Sequence, residues 1–136
     1  MKNNFAICVL ACCLVMLISA CGYEKISYKK VGDVDFTVVS QAEMTDEVKQ
    51  IVDKRKKNEF KVTYSDGQYT YIIVGYGKQK YEGYSIKVKK MYETKNAICV
   101  TTQFDGPKKY SNKEVTSYPY IVIKIQYTDK NIVFAS

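Results

Sequence analysis

The run Tyr71-Ile72-Ile73-Val74 decides the fold that this sequence predicts. It lies inside a predicted strand at residues 69–76, and a continuous apolar run is typical of a strand that is covered on both faces. We therefore expect this strand to be central in its sheet. The preceding pair Asp66-Gly67 is a strong hairpin signal, because glycine tolerates the positive φ that a tight turn requires. This hairpin joins the central strand to a predicted strand at residues 60–65, where apolar and polar side chains alternate.

Alternation of apolar and polar residues, or a short apolar run, predicts the remaining strands. They lie at residues 34–39, 84–89, 97–104, 121–127 and 132–134. In the first of them, Val34, Phe36 and Val38 form the apolar side. The last is expected to be a short edge strand that closes the sheet.

One amphipathic helix is predicted at about residues 43–57. Ser40 and Glu43 have the spacing of a capping box, in which a serine at the N-cap is followed by a glutamate one helical turn later. The apolar residues that follow share one helical face: Met44, Val48, Ile51 and Val52. The basic run at residues 54–57 opposes the helix dipole favourably and is interpreted as a solvated helix end. A docking patch for acidic polymers is the alternative interpretation of that run.

The first 20 residues have the organisation of an export signal, with Lys2 in a positive head, an apolar middle and two small residues at the end. A membrane-spanning helix needs about 20 apolar residues, and this run is shorter. The stretch Ile18-Ser19-Ala20-Cys21-Gly22 resembles the lipobox of bacterial lipoproteins. The resemblance implies that Cys21 carries a lipid with two acyl chains, which anchors a protein stably to the membrane. We therefore expect a lipid-anchored protein that faces outside the cytoplasm; an ordinary secretory signal is the alternative.

Strands outnumber helices and mostly follow one another through short turns, which indicates an antiparallel sheet with one helix packed on a face. The predicted fold class is α+β, mainly β, with about six to seven strands in that sheet. Residues 1–20 are assigned to the signal and residues 21–32 to a polar tether. Residues 33–136 are assigned to a single domain, which is long enough to form one hydrophobic core without disulfide bonds or metal ions.

The composition argues against several classes of site. The chain has no histidine, and Cys99 is the only cysteine after Cys21. Zinc and most transition metals are bound through cysteine and histidine, so we expect neither a metal nor a cofactor. Cys99 lies in a predicted strand with no histidine to activate it, which favours a packed side chain over a nucleophile. No catalytic set is predicted, although a serine–lysine dyad would need no histidine.

The net charge of +7 comes mainly from lysine, since Arg55 is the only arginine. Lysine-rich surfaces attract anionic membranes or wall polymers without specificity. Nucleic acid is not expected as a partner, because the protein is predicted to be exported and base readout favours arginine.

Residues 71–125 contain four short motifs that carry a family resemblance: Tyr71-Ile72-Ile73-Val74-Gly75, Gly83-Tyr84-Ser85-Ile86, Gly106-Pro107 and Ser117-Tyr118-Pro119-Tyr120. This pattern resembles the PrcB family, which is named for an accessory subunit of a surface protease complex. The resemblance implies a non-enzymatic protein that binds another protein, with an exported protease as the partner. In one loop the family often has Thr-Gly-Gly-Tyr, whereas this chain has Tyr81-Glu82-Gly83-Tyr84.

Two loops carry the candidate binding residues, at residues 76–84 and 105–118, and we call them the rim loops. They lie at one end of the sheet if the strands run up and down, and together they would form a binding rim. Tyrosine combines a large apolar face with a polar tip and is enriched at interfaces. Tyr76 and Tyr81 are therefore expected to be exposed contacts, whereas Tyr84 begins an alternating strand and is expected in the core. The candidate residues are Tyr76, Tyr81, Gly83, Tyr84, Pro107, Tyr118 and Pro119.

Two functions from different classes remain open. The first is a membrane-anchored lipoprotein that acts as a non-enzymatic, protein-binding accessory subunit for an exported protease. The second is an envelope-binding module for glycans or anionic wall polymers, which the basic charge and the 13 tyrosines favour. Salt-sensitive binding to purified wall without a protein partner would distinguish the second from the first. The sequence leaves open whether the protein inhibits or stabilises its partner, and also its oligomeric state.

Overall fold

The computed structural model describes residues 25–135, so the predicted export signal and Cys21 lie outside the described residues. The described chain contains eight strands and one α-helix, with a 3-10 turn at Gln41–Glu43 before the helix. The elements are β1 (Lys30–Asp33), β2 (Thr37–Val38), α1 (Asp46–Arg55), β3 (Glu59–Ser65), β4 (Tyr69–Tyr76), β5 (Ser85–Thr94), β6 (Ala97–Asp105), β7 (Tyr120–Gln126) and β8 (Asn131–Phe134). Within residues 25–135, no helix is long and apolar enough to cross a membrane.

The strands form two sheets of four strands each, in the orders β1-β5-β6-β8 and β2-β7-β4-β3. Neighbouring strands are antiparallel except β6 and β8, which are parallel. The prediction of a mainly β fold with one helix is confirmed, but the prediction of one continuous sheet is wrong. Alternation shows which side chains of a strand are buried, but it does not show to which sheet the strand belongs. Strands of one sheet and strands of two packed sheets give the same alternation.

The two sheets pack face to face, and their inward side chains form the main core. One sheet supplies Ile72 and Val74 from β4 together with Ile121, Ile123 and Ile125 from β7. The other sheet supplies Met91 from β5 and Ile98 and Val100 from β6. Both layers of this core therefore come from residues 25–135.

Helix α1 covers the outer face of the β2-β7-β4-β3 sheet and forms a second core. Val48 and Val52 of the helix pack against Tyr71 and Ile73 of β4 and against Val122 of β7. Strand β4 is therefore covered on both faces, and Ile72 and Ile73 each have 0% of their surface exposed. This confirms the central position predicted from the run of residues 71–74.

The helix begins later than predicted. Its N-cap is Thr45, whose Oγ1 accepts a hydrogen bond from the Val48 N–H at 3.4 Å. Ser40 makes no side-chain cap and instead precedes the 3-10 turn, so the predicted capping box is wrong. Met44 has an extended backbone, with φ −66° and ψ 139°, and this interrupts the helical path between the turn and α1. Burial of the Met44 side chain under the helix stabilises that interruption.

The chain before the helix crosses from one sheet to the other, so the predicted strand at residues 34–39 is wrong. Strand β1 begins at Lys30, inside the segment expected to be a tether, and pairs with β5. Strand β2 pairs with β7 of the other sheet. Val34 packs in the main core and Val39 in the second core, whereas Phe36 and Val38 are exposed. The change of sheet breaks the single apolar side that the sequence suggested.

The chain enters the domain beside the turn between β5 and β6. The Ser27 N–H donates to Asn96 Oδ1 at 2.9 Å, and Asn96 Nδ2 donates to the Lys25 carbonyl at 3.0 Å. Strand β5 ends at this turn and begins at the rim loops. The rim loops therefore lie at the opposite end of the sandwich, about 30 Å from the entry point for strands of this length.

Candidate functional site

The two rim loops are bound to each other. The Gln79 N–H donates to the Ser117 carbonyl at 2.9 Å, and the Ser117 N–H donates to the Gln79 carbonyl at 3.1 Å. The Ser117 hydroxyl also donates to the Tyr81 carbonyl at 2.5 Å. The loop after β4 and the loop before β7 therefore form one surface at the end of the sandwich.

A stack of aromatic rings supports this surface from below. The ring of Phe104, near the end of β6, stacks with Tyr76 at a centroid distance of 4.2 Å and with Tyr84 at 4.9 Å. The hydroxyls of Tyr76 and Thr102 are hydrogen-bonded at 2.5 Å. Tyr76 and Phe104 come from different sheets, so the stack closes this end of the sandwich.

Two of the predicted binding residues, Tyr76 and Tyr84, belong to this stack. Tyr76 is half-buried and packs against the main core, which differs from the exposed position expected for it. Tyr84, which was expected in the core, is half-buried just before β5 and stacks on Phe104. Burial, and then the neighbouring Tyr110, raise the pKa of Tyr84 above its ordinary value of 10.0. Both side chains support the rim rather than projecting from it.

A second aromatic pair lies on the solvent side of the rim. Tyr81 and Tyr110 make an edge-to-face contact with ring centroids 5.2 Å apart. Tyr81 is half-buried, which differs from the exposed position expected for it, whereas Tyr110 is 55% exposed. Sequence reasoning did not select Tyr110; the available signal was a single large aromatic residue within a polar, lysine-containing loop. Tyr110 is the rim residue whose ring is most available to a partner.

Glycine and proline residues set the shape of the loops. Gly83 has φ +92°, a left-handed conformation that residues with a side chain rarely adopt. A Cβ atom at Gly83 would lie 3.1 Å from Cβ of Pro107, so the two loops approach closely there. The Pro119 carbonyl accepts a hydrogen bond from the Tyr76 N–H at 3.0 Å. Gly83, Pro107 and Pro119 therefore contribute to the rim through backbone conformation and backbone contacts.

The C-terminal end of α1 adjoins the rim and adds positive charge. Lys56 Nζ lies 5.6 Å from the centre of the Tyr118 ring, a cation–π distance. The Lys78 N–H donates to the Lys57 carbonyl at 3.3 Å, which fixes the first rim loop against the helix end. Within residues 25–135, several cations here form no ion pair: Lys54, Arg55, Lys57, Lys78 and Lys80.

A groove of about 480 Å³ opens beside the rim, between the two sheets. Its walls come from Glu59 and Lys61 of the edge strand β3, from Tyr76, and from Thr102 of β6. The Phe60 ring lies over Gly75, near the C-terminal end of β4. A Cβ atom at Gly75 would be 2.1 Å from the ring. The position of Phe60 thus depends on the glycine.

The cysteine and the acidic side chains of residues 25–135 do not gather into a metal-binding cluster. Cys99 is 0% exposed and lies opposite Tyr92 in the β5–β6 ladder, where it fills a packed position. Among residues 25–135, no group of three or more Cys, Asp and Glu side chains is placed to hold a metal ion. The rim presents an exposed tyrosine, loops joined by hydrogen bonds, and cations that form no ion pair with residues 25–135.

Residues 70–126 match the model of a protein family described as PrcB C-terminal. The matched segment runs from β4 to β7 and includes the β5–β6 hairpin and both rim loops. The resemblance to the PrcB family that the four short motifs predicted is therefore confirmed over this segment. Comparisons with curated proteins and with solved structures found no significant match.

Proposed function

We propose that this chain, a member of the PrcB family through its residues 70–126, is a membrane-anchored accessory subunit that binds another exported protein through its rim loops. The family resemblance implies an exported protease as the class of partner, which the subunit stabilises or restrains. The observation that carries the proposal is the exposed Tyr110 ring, held by Tyr81 on loops that the Gln79–Ser117 pair joins.

The rim has the features of a protein-binding surface. Binding energy at interfaces is concentrated in a few residues, and tyrosine is enriched among them. The hydrogen bonds between the loops and the stack under them order the surface before a partner arrives. Since less conformational entropy is lost when a rigid surface binds, this order favours affinity.

The position of the rim is compatible with an anchor at Cys21. The chain enters the domain at Asn96, at the end of the sandwich opposite to the rim loops. A lipid on Cys21 therefore leaves Tyr110 and the C-terminal end of α1 uncovered by the N-terminal segment. An anchored subunit of this shape presents the rim to a partner in the envelope.

The proposal includes no catalytic step. The full chain has no histidine, and its described cysteine, Cys99, is inaccessible in the folded domain. The family resemblance points to an accessory subunit, which modulates a partner instead of turning over a substrate.

Capture of envelope proteins by the domain from Tyr23 to Ser136 tests the proposal, with Tyr110→Ala and Tyr127→Ala as a matched pair. The two tyrosines are 55% and 54% exposed, but Tyr127 lies at the opposite end of the domain, beside Gln68. We expect the wild type and Tyr127→Ala to retain the same protein, and Tyr110→Ala to lose at least about tenfold in affinity, as hot-spot truncations do. Equal retention by both variants, or no retained protein with the wild type, contradicts the proposal.

Binding to an anionic wall polymer is the second candidate function, and the unpaired cations around the end of α1 favour it. A polymer held by charge alone dissociates as salt is raised, since contacts between exposed charges are screened. Binding of the domain to purified wall that disappears on replacing Lys54, Arg55 and Lys57 with glutamine, but not with Tyr110→Ala, would support this function over the first.

A further inference from the structure

The two sheets differ in what covers their outer faces. Helix α1 covers the β2-β7-β4-β3 sheet, whereas no helix within residues 25–135 covers the outer face of the β1-β5-β6-β8 sheet. Along β5, Ile86, Val88 and Met91 point into the main core, so Lys87, Lys90 and Tyr92 lie on the outer side. We call this outer side, with Tyr28 and Lys30 beside it, the lysine face.

A β-bulge at Lys89 places the charge on this face. Val88 pairs with Thr102 and Lys90 pairs with Thr101, so Lys89 is an extra residue in β5. If Lys89 were instead a regularly paired residue of β5, alternation would turn Lys90 towards the main core and Met91 towards solvent. The bulge therefore keeps Met91 buried and presents two consecutive lysines to solvent. Such bulges re-aim side chains and are frequent beside functional sites.

The exposed lysines border a shallow groove that also contains tyrosine. The groove has a volume of about 620 Å³ and is lined by Tyr28, Lys30, Lys89, Lys90 and Tyr92, with Asp33 and Met91. Asp33 is paired with Lys30 at 2.5 Å, and Lys87 is paired with Asp105 at 3.8 Å. Lys89 and Lys90 form no ion pair within the described chain, so they carry the free positive charge of the groove.

Exposed side chains suited to a membrane interface lie beside this face. Tyr28 and Val31 are both 63% exposed, at the edge of the sheet where the chain enters the domain. Tyrosine is enriched at the level of lipid headgroups, because its ring is apolar and its hydroxyl is polar. Lysines near an anionic membrane surface add attraction that extends over about one Debye length.

The length of chain before the domain limits how far this face lies from a bilayer. Cys21 precedes Lys25 by four residues, and four fully extended residues span at most about 14 Å. A lipid on Cys21 therefore holds strand β1 and the adjoining lysine face close to the headgroups. The Debye length at physiological ionic strength is about 8 Å, so the lysines attract the headgroups once this face lies within about that distance of them.

We propose that the lysine face docks on anionic lipid headgroups, with Lys89 and Lys90 contacting their phosphates and Tyr28 entering the headgroup layer. The distance argument uses the anchor of the proposed function, but the docking surface is a property of the folded domain. With this face on the membrane, α1 on the other side of the sandwich and the rim loops at its end stay uncovered.

Vesicle sedimentation of the domain from Tyr23 to Ser136, which lacks the lipid, tests the proposal. The vesicles contain either phosphatidylglycerol with phosphatidylcholine or phosphatidylcholine alone. The variants are Lys89→Ala/Lys90→Ala and Lys108→Ala/Lys109→Ala, a second pair of consecutive exposed lysines at the opposite end. We expect the wild type to bind only the anionic vesicles. Loss of Lys89 and Lys90 should weaken that binding roughly thirty-fold, given the contribution of each lysine near an anionic surface.

The control pair should bind within about twofold of the wild type, since only charges near the surface contribute. Equal loss of vesicle binding in both double variants would show that overall charge is responsible and would overturn the proposal. Binding to the neutral vesicles, or no binding to the anionic vesicles, would also overturn it. Competition by inorganic phosphate at constant ionic strength would assign the groove to a soluble anion instead and would also overturn it. Capture of the protein partner by Lys89→Ala/Lys90→Ala should be unchanged, so failure of the docking surface and failure of the proposed function are separable.

Discussion

Gln79 and Ser117 exchange two backbone hydrogen bonds, at 2.9 and 3.1 Å, and thereby join the two loops of the rim. Neither residue belongs to a strand, and the contact forms one isolated bridge between distant parts of the chain. The alignment of Tyr81 with Tyr110 depends on this bridge, because the Ser117 hydroxyl also holds the Tyr81 carbonyl.

Ser117→Pro should loosen the rim, whereas Ser117→Ala should largely preserve it. Proline has no N–H and removes the donor to Gln79, while alanine keeps it and removes only the hydroxyl bond to Tyr81. We expect a loss of stability of about 0.5–1.5 kcal/mol for alanine and a larger loss for proline. Hydrogen exchange of the Gln79 amide and thermal melting measure both effects. Unchanged exchange at Gln79 in Ser117→Pro would show that the bridge does not hold the loops.

Gly75→Ala should destabilise the domain by about 1–3 kcal/mol, as overpacking in a filled site does. The new Cβ would lie 2.1 Å from the Phe60 ring, which must then move. Gly32→Ala is the matched control, because no atom lies within 4 Å of a Cβ there. Adding Phe60→Leu to Gly75→Ala should recover part of the loss in denaturant unfolding, as expected for residues in contact. Additive effects of the two substitutions would rule out the contact as the cause.

Cys99 should resist thiol reagents until the domain unfolds. The side chain is 0% exposed, and it is the only thiol in the domain from Tyr23 to Ser136. Labelling with a chromogenic disulfide reagent should therefore follow global unfolding. Cys99→Ser should cost about 1–3 kcal/mol, because it buries a hydroxyl in a packed site, and Cys99→Ala should cost less. Rapid stoichiometric labelling under native conditions would contradict this packed position.

Because of Asp66 in the hairpin between β3 and β4, the stability of the domain should depend on pH in the acidic range. Asp66 Oδ1 accepts hydrogen bonds from the N–H groups of Tyr69 at 2.7 Å and Gln68 at 2.9 Å. These bonds, that from Tyr69 first, lower the pKa of Asp66 below its ordinary value of 3.8. The contribution is therefore fully present above the unfolded-state pKa and is lost as pH falls through the lower pKa of the folded state.

Asp66→Asn keeps an acceptor oxygen in the turn and removes the titration. Relative to this variant, the melting temperature of the wild type should fall as the pH is lowered below about 4. Parallel melting curves for the two proteins across that range would show that the Asp66 carboxylate has no such effect.

The local features of the fold were predictable from local patterns. The apolar run at residues 71–74 predicted a strand covered on both faces, and Val48 and Val52 predicted the helix face that covers it. The start of that helix was not predictable from spacing, because both Ser40 and Thr45 are good caps. Met44 lies between them, and the burial of its side chain in the second core accompanies the use of Thr45 as the cap.

The sheets and the rim depended on contacts that local patterns do not contain. Alternation marked the buried side of each strand but not the sheet to which the strand belongs. Tyr76 was expected to be exposed, but Phe104 from the other sheet stacks with it. Tyr110 was missed because its role comes from a contact with Tyr81 across two loops.

Photo-crosslinking in the native envelope tests most directly whether the rim binds a protein. Benzoylphenylalanine is placed in the full chain at position 110 and, as a matched control, at position 127, which is equally exposed at the other end of the domain. The account predicts a discrete protein adduct from position 110 and none from position 127. An adduct from position 127 alone, or no adduct from position 110, would contradict it.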